Sequence, residues 1–110
     1  MLDPDGAVNC LPLLYRSYTV RIHKSTVNAK VYFVLSDICK VLQISNPSYV
    51  AKRINKNYTH KHKLSNSNGR NVATWVNYDG LVQLFDTLPR TVDLAVFWVW
   101  CRGVSRRYVE

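Results

Sequence analysis

Acidic side chains are scarce in this sequence. Seven Asp and Glu stand against fifteen Lys and Arg in 110 residues, a formal net charge of +8. No acid falls between Asp37 and Asp79, whereas that interval holds Lys40, Lys52, Arg53, Lys56, Lys61, Lys63 and Arg70, with His60 and His62. Such a one-signed segment attracts polyanions and makes nucleic acid the leading class of partner. An anionic membrane is a weaker one, because the cationic stretch lacks a broad Trp/Phe/Leu face to insert. Cysteine is sparse too: Cys10, Cys39 and Cys101 are odd in number, far apart and form no CxxC pair, which argues against a disulfide framework and for reduced thiols inside a cell. No apolar run is long. The longest, Leu94 to Cys101, is too short to cross a bilayer. The N-terminus carries acids instead of a basic segment, so no signal peptide is expected. Also missing are GxSxG, a glycine-rich phosphate loop and HExxH. The expectation is one soluble, intracellular domain of 47% apolar content that performs no catalysis and takes no cofactor or metal.

The most informative stretch runs from Tyr32 to Lys56. An extended apolar run ends at Ser36, a hydroxyl N-cap in front of Asp37 in an acidic first turn. Ile38, Val41 and Leu42 then recur at helical spacing. Ile44-Ser45-Asn46-Pro47 stops one helix and starts the next, with Asn46 as cap and Pro47 at the first helical position. On the second helix Val50, Ala51 and Ile54 share one face, and Tyr49, Lys52, Arg53 and Lys56 share the opposite one. Two short helices at an angle, the second presenting basic and polar side chains, form the layout of a helix-turn-helix DNA reader. The plainer reading is an amphipathic surface helix with solvated cations.

Around this stretch, residues 1–14 contain two prolines and a glycine and read as an irregular leader, so the domain is expected over 15–110. Tyr15 to Lys24 alternates as a half-buried strand and pairs with Lys30 to Leu35 in a hairpin. His60/His62/Leu64 and Val72/Thr74/Val76 flank an Asn68-Gly69 turn, a second and basic hairpin resembling a wing that touches phosphates. A helix follows over Leu81 to Leu88 and stops at Pro89. Thr91 caps a last helix, apolar nearly all round from Leu94 to Trp100, which suggests a homodimer contact through Phe97, Trp98 and Trp100 or a further C-terminal region covering one side. Arg102, Arg106 and Arg107 sit where the helix dipole favours cations. The fold class is therefore α+β: a small domain of two β-hairpins packed with about four helices, containing a helix-turn-helix-like pair followed by a basic hairpin.

His60 and His62 lie two apart on a strand, a spacing two metal ligands can use, but no Cys or carboxylate nearby completes a zinc site, so solvated or phosphate-facing histidines are expected. Asp37 and Asp79 stand at helix starts, where the dipole accounts for them. Tyr49 and Tyr58 are interleaved with cations; each can stack on a base or cover lysine stems.

Several strings resemble those of a known family. Phe33 to Leu42 (FVLSDICKVL), Asn46-Pro47-Ser48 followed by Ala51-Lys52-Arg53-Ile54, Val76-Asn77 with Gly80-Leu81 and Leu84, and finally Phe97 and Trp100 are similar, in the same order, to segments of the BRO family N-terminal domain. The resemblance spans Tyr18 to Val104. It implies a DNA-binding module of viral or phage origin, often fused to a C-terminal effector region. In phage members it implies an antirepressor role in transcription regulation, in the host cytoplasm or nucleoid, or in the nucleus for a eukaryotic virus. The closing helix is more apolar than the family's. On this reading Lys52, Arg53 and Lys56 contact phosphate or the major groove of double-stranded DNA, Asn46, Ser48 and Tyr49 lie near base edges, and Lys61, Lys63 and Arg70 clamp the adjacent backbone. The competing expectation is a protein-interaction module that binds a repressor.

Overall fold

A computed structural model of the protein describes residues 11–25, 30–63 and 72–107. Strand β1 (Leu11–Tyr15) pairs antiparallel with β2 (Tyr18–Lys24) through the two-residue turn Arg16-Ser17. Leu11 to Leu14 are thus a strand, where an irregular leader was expected, and Tyr15 ends that strand instead of opening the next. Pro12 hides the alternation and donates no hydrogen bond, which an edge strand tolerates. Arg16 adopts φ 55°, the left-handed conformation that so short a turn requires.

Strand β3 (Val31–Val34) pairs with β2, as expected, and on its other side with β5 (Val72–Asn77); β4 (Thr59–Lys63) pairs with β5 at the far edge. The hairpins therefore fuse into one antiparallel sheet of order β1-β2-β3-β5-β4. The helices are α1 (Leu35–Leu42), α2 (Pro47–Ala51), α3 (Tyr78–Asp86) and α4 (Val92–Arg107), with a 3-10 turn at Lys56–Tyr58. Val20, Ile22, Val31, Phe33 and Val76 on one face of the sheet bury against Ile38, Leu81, Leu84, Phe85 and Phe97 of the helices. Each such side chain contributes roughly 1.5–3 kcal/mol by leaving water. Tyr32, Val34 and Trp75 form a smaller buried cluster on the other face, with His23 and His60 rings 6.0 and 6.5 Å from the Trp75 ring.

Helix α1 leaves β3 without a connecting loop. Its N-cap is Val34, which offers no side-chain cap, and Ser36 lies inside the helix. The expected Ser36 cap is thus replaced by a longer-range device. Asp37 is buried and accepts from the Arg21 backbone N–H at 2.9 Å and from Arg21 Nε and Nη2 at 2.8 Å each. The carboxylate takes the β2 backbone donor next beyond the last β2–β3 pair, so β2 and α1 are joined by a charge-assisted contact between residues sixteen apart.

Helix α3 begins three residues earlier than Leu81. Asn77, the last residue of β5, is itself the cap, its Oδ1 accepting from the Gly80 N–H at 3.0 Å. Thr91 caps α4 as expected, Oγ1 accepting from the Leu94 N–H at 3.1 Å. Helix α4 is not uniformly apolar in its surroundings. Leu94, Phe97, Cys101 and Val104 are buried, and Val92, Val96 and Val99 are exposed. Phe97 lies in the chain's own core against Tyr15 and Phe85, which corrects its assignment to a dimer contact. Trp98 and Trp100 are half-buried: Trp98 Nε1 donates to Tyr78 OH at 2.9 Å, and Trp100 stacks on Phe97. No helix among the described residues is long and apolar enough to cross a membrane.

Candidate nucleic-acid interface

The expected basic helix starts as read and stops early. Asn46 Oδ1 accepts from the Tyr49 N–H at 3.2 Å, and Pro47 takes the first helical position. The helix ends at Ala51, however, and Lys52 and Arg53 lie in a following turn. Lys56 opens the 3-10 turn, which Asn55 caps by accepting from the Asn57 N–H at 2.9 Å. Asn55 competes for the backbone as asparagine does outside helices. The i to i+7 face from Tyr49 to Lys56 is accordingly not one helical face. The burial pattern survives nonetheless, with Val50 and Ile54 buried and Ser48, Tyr49, Lys52, Arg53 and Lys56 exposed.

Two contacts organise the exposed side. The Arg53 guanidinium lies over the Tyr49 ring, 5.2 Å from its centroid, and Arg53 Nη1 donates a hydrogen bond to the Tyr49 hydroxyl. A planar cation held on an aromatic face one turn away is restricted before any ligand arrives. The second contact fixes the segment from behind: the Asn55 N–H donates to Gln83 Oε1 of α3 at 2.9 Å, while Ile54 enters the core. Gly80 makes the close approach possible, since a Cβ there would lie 3.1 Å from both Ile54 Cγ2 and Tyr58 Cβ. Gln83 and Asn55 are not legible in the sequence, because nothing local marks a glutamine on α3 as a partner for a backbone twenty-eight residues away.

Strand β4 continues from the 3-10 turn. Lys61 is exposed and pairs with Thr74, which places it on the sheet face that carries the helices, the same face as Val76. His60 pairs with Trp75 on the opposite face, its ring 4.6 Å from that of Tyr32, so it lines an aromatic cluster instead of joining the lysines. Lys63 ends β4. Arg70 and the Asn-Gly turn lie outside the described residues. Among the described residues no group of three His, Cys, Asp or Glu gathers as metal ligands.

The electrostatics follow from where the acids are. Asp37 pairs with Arg21 at 2.8 Å, Asp79 with Lys30 at 3.8 Å, Asp86 with Arg90 at 3.0 Å and Asp93 with Arg16 at 3.6 Å. Every described carboxylate side chain is therefore matched by a cation outside the segment from α2 to β4. Lys52, Arg53, Lys56 and Lys61 have no carboxylate partner among the described residues. Beside them, Ile44, Val50, Ile54, Leu84 and Leu88 line an apolar groove of about 390 Å³ between α2 and α3, with Tyr49 and Arg53 at its border.

No curated protein and no solved structure matches the chain. The family model for the BRO family, N-terminal domain, matches residues 19–92, from β2 to the first residue of α4. That match takes in the sheet from β2 onward, both short helices and α3, more than half of the sequence, and the chain belongs to the BRO family through this N-terminal domain.

Proposed function

We propose that this protein is a non-catalytic DNA-binding module that regulates viral or phage gene expression, and that it holds double-stranded DNA on the surface running from α2 through the 3-10 turn to β4. The observation that carries the reading is the charge arrangement: the described acids are all matched elsewhere, so Lys52, Arg53, Lys56 and Lys61 present uncompensated positive charge in succession. Cations so placed neutralise phosphates and release condensed counterions. Asn46, Ser48 and Tyr49 at the start of α2 stand where a short helix meets base edges, with Arg53 steadied by the Tyr49 ring for a planar contact. Asn46 Oδ1 is engaged as a cap, so its part in base reading falls to the amide N–H donors. Lys63 and Arg70, the next cations along the sequence, join this contact in the same reading.

A titration of a labelled random-sequence duplex followed by fluorescence anisotropy at several salt concentrations tests this reading. Affinity falls linearly with salt on a log–log plot, and Lys52→Ala combined with Arg53→Ala lowers the slope by roughly one for each phosphate that is no longer neutralised. An unchanged slope in the double variant removes this surface from the interface. The apolar groove between α2 and α3 favours a second reading, in which the same surface takes an acidic protein such as a repressor, an apolar side chain filling the groove. Absence of any DNA binding at low salt selects that alternative.

A further inference from the structure

The groove between α2 and α3 carries polar chemistry that a purely apolar occupant leaves unused. Gln83 and Thr87, the latter the C-cap of α3, both line it and stand one turn apart on the same side of that helix. Each is fixed by a bond behind it. The Asn55 N–H requires an acceptor and takes Gln83 Oε1 at 2.9 Å, which orients the amide and leaves the two Nε2 donors without a partner among the described residues. The Thr87 hydroxyl donates its proton to Leu84 O at 2.7 Å, which leaves the oxygen lone pairs as acceptors. A donor and an acceptor thus stand together at the wall of an apolar groove of about 390 Å³, a size that suits a small ring. At its border Arg53 has one nitrogen on the Tyr49 hydroxyl, and its remaining donors have no partner among the described residues.

We propose that this groove receives a single unpaired nucleobase of the DNA held on the basic surface. The ring lies against the aliphatic side chains of Val50, Ile54, Leu84 and Leu88. Its Watson–Crick edge, which in every base sets an acceptor beside a donor, meets Gln83 Nε2 and Thr87 Oγ1. The attached phosphate lies at Arg53 and Lys52, which have no carboxylate partner among the described residues. Charge and edge together choose this occupant. A paired base is excluded, because the opposite strand covers the edge that Gln83 and Thr87 address. An apolar protein side chain in the same place covers the Gln83 amide with carbon and leaves its donors unpaired, which weakens binding. The inference rests on the DNA reading and adds a preferred substrate to it. A duplex in which one base is already unpaired binds best, since unpairing and unstacking no longer oppose entry to the groove.

Anisotropy titrations of the full 110-residue protein against three labelled duplexes test the proposal. One duplex is fully paired, one carries a single unpaired thymine, and one carries an abasic nucleotide in the place of that thymine. The thymine bulge is expected to bind roughly tenfold tighter than the paired duplex. The abasic bulge bends as freely but offers no base, and is expected to lose that preference. Gln83→Glu keeps an oxygen for the Asn55 N–H and removes the amide donors, whereas Thr87→Phe fills the groove from an exposed position. Each variant abolishes the preference with an unchanged circular dichroism spectrum. The ratio of the two affinities is the readout, because the charge added by Gln83→Glu acts on both duplexes alike. Equal affinity for paired and bulged DNA, with the steep salt dependence retained, overturns the inference and leaves the DNA reading standing. A preference shared by the abasic duplex, or unmoved by both variants, arises from bending and overturns it as well. Absence of binding to all three at low salt overturns the inference together with the reading beneath it.

Discussion

A methyl group at Gly80 would stand 2.4 Å from Val76 Cγ2, inside any allowed contact, with Ile54 Cγ2 and Tyr58 Cβ at 3.1 Å. This one position holds the first turn of α3, the end of β5 and the segment carrying Lys52, Arg53 and Lys56 within a single contact. Gly80→Ala is expected to lower stability by roughly 1–3 kcal/mol through overpacking, despite the better helix propensity of alanine. It is also expected to weaken DNA binding beyond that loss by displacing Ile54 and Tyr58. Urea denaturation and the anisotropy titration check the two parts, and a stabilised variant would show that the contact yields. Residues of this kind are only partly legible beforehand. The caps at Asn46, Asn77 and Thr91 sit in or beside the turns that the sequence points to, because capping is local. The Arg21–Asp37 pair is invisible, since its two members are joined only when β2 and α1 meet. Ser36 misled for the same reason: a hydroxyl before an acid signals a cap only if the chain arrives from a loop, and here it arrives from β3.

At the scale of elements, alternation and helical spacing locate β2, β3, β4, β5 and α4 well, because each buries one face. One element and one boundary escape this reading. Strand β1 carries no alternation because Pro12 interrupts it, and pairing with β2 alone makes it a strand. The early end of α2 is hidden because Val50 and Ile54 satisfy a helical period whether or not the helix continues. Helix α1 ends with Gln43 in the left-handed conformation, φ 59°, its N–H bonded to Lys40 O at 3.2 Å and the Ile44 N–H to Cys39 O at 2.8 Å. This is the Schellman arrangement, in which glycine avoids the strain of a side chain at positive φ. Gln43→Gly is therefore expected to raise stability by about 1 kcal/mol, read as a higher urea midpoint with unchanged slope. Loss of stability would mean that the glutamine side chain supplies more than the backbone strain removes.

For the molecule as a whole, the buried thiols set how stability responds to alkali. Burial pushes Cys39 up from 9.0 to about 11 and Cys101 up further still. In the unfolded chain both ionise near the ordinary value, so above it the unfolded state binds fewer protons than the folded one and stability falls as pH rises. The contribution is complete below pH 9.0 and is lost progressively towards pH 11 as far as Cys39 is concerned. Urea midpoints measured below and within that window check this, and Cys39→Ala is expected to decline less steeply than the natural chain. An equal decline would assign the alkaline loss to other groups. Neither the spacing nor the number of cysteines carries this information, because burial is a property of the assembled core.

The order of strands has a further consequence. The chain leaves the sheet at Val34 and rejoins it at Thr59 on the edge strand β4, so Asn46, Ser48, Tyr49, Lys52, Arg53 and Lys56 belong to that excursion, and Lys61 and Lys63 to the strand that receives it. Its two feet stand on β3 and β4, on either side of β5 and roughly 10 Å apart. The excursion is thus a cassette with fixed ends: its outward residues can be exchanged while the strands beneath keep their register. The same frame could be refitted, by selection or by design, to read a different stretch of nucleic acid.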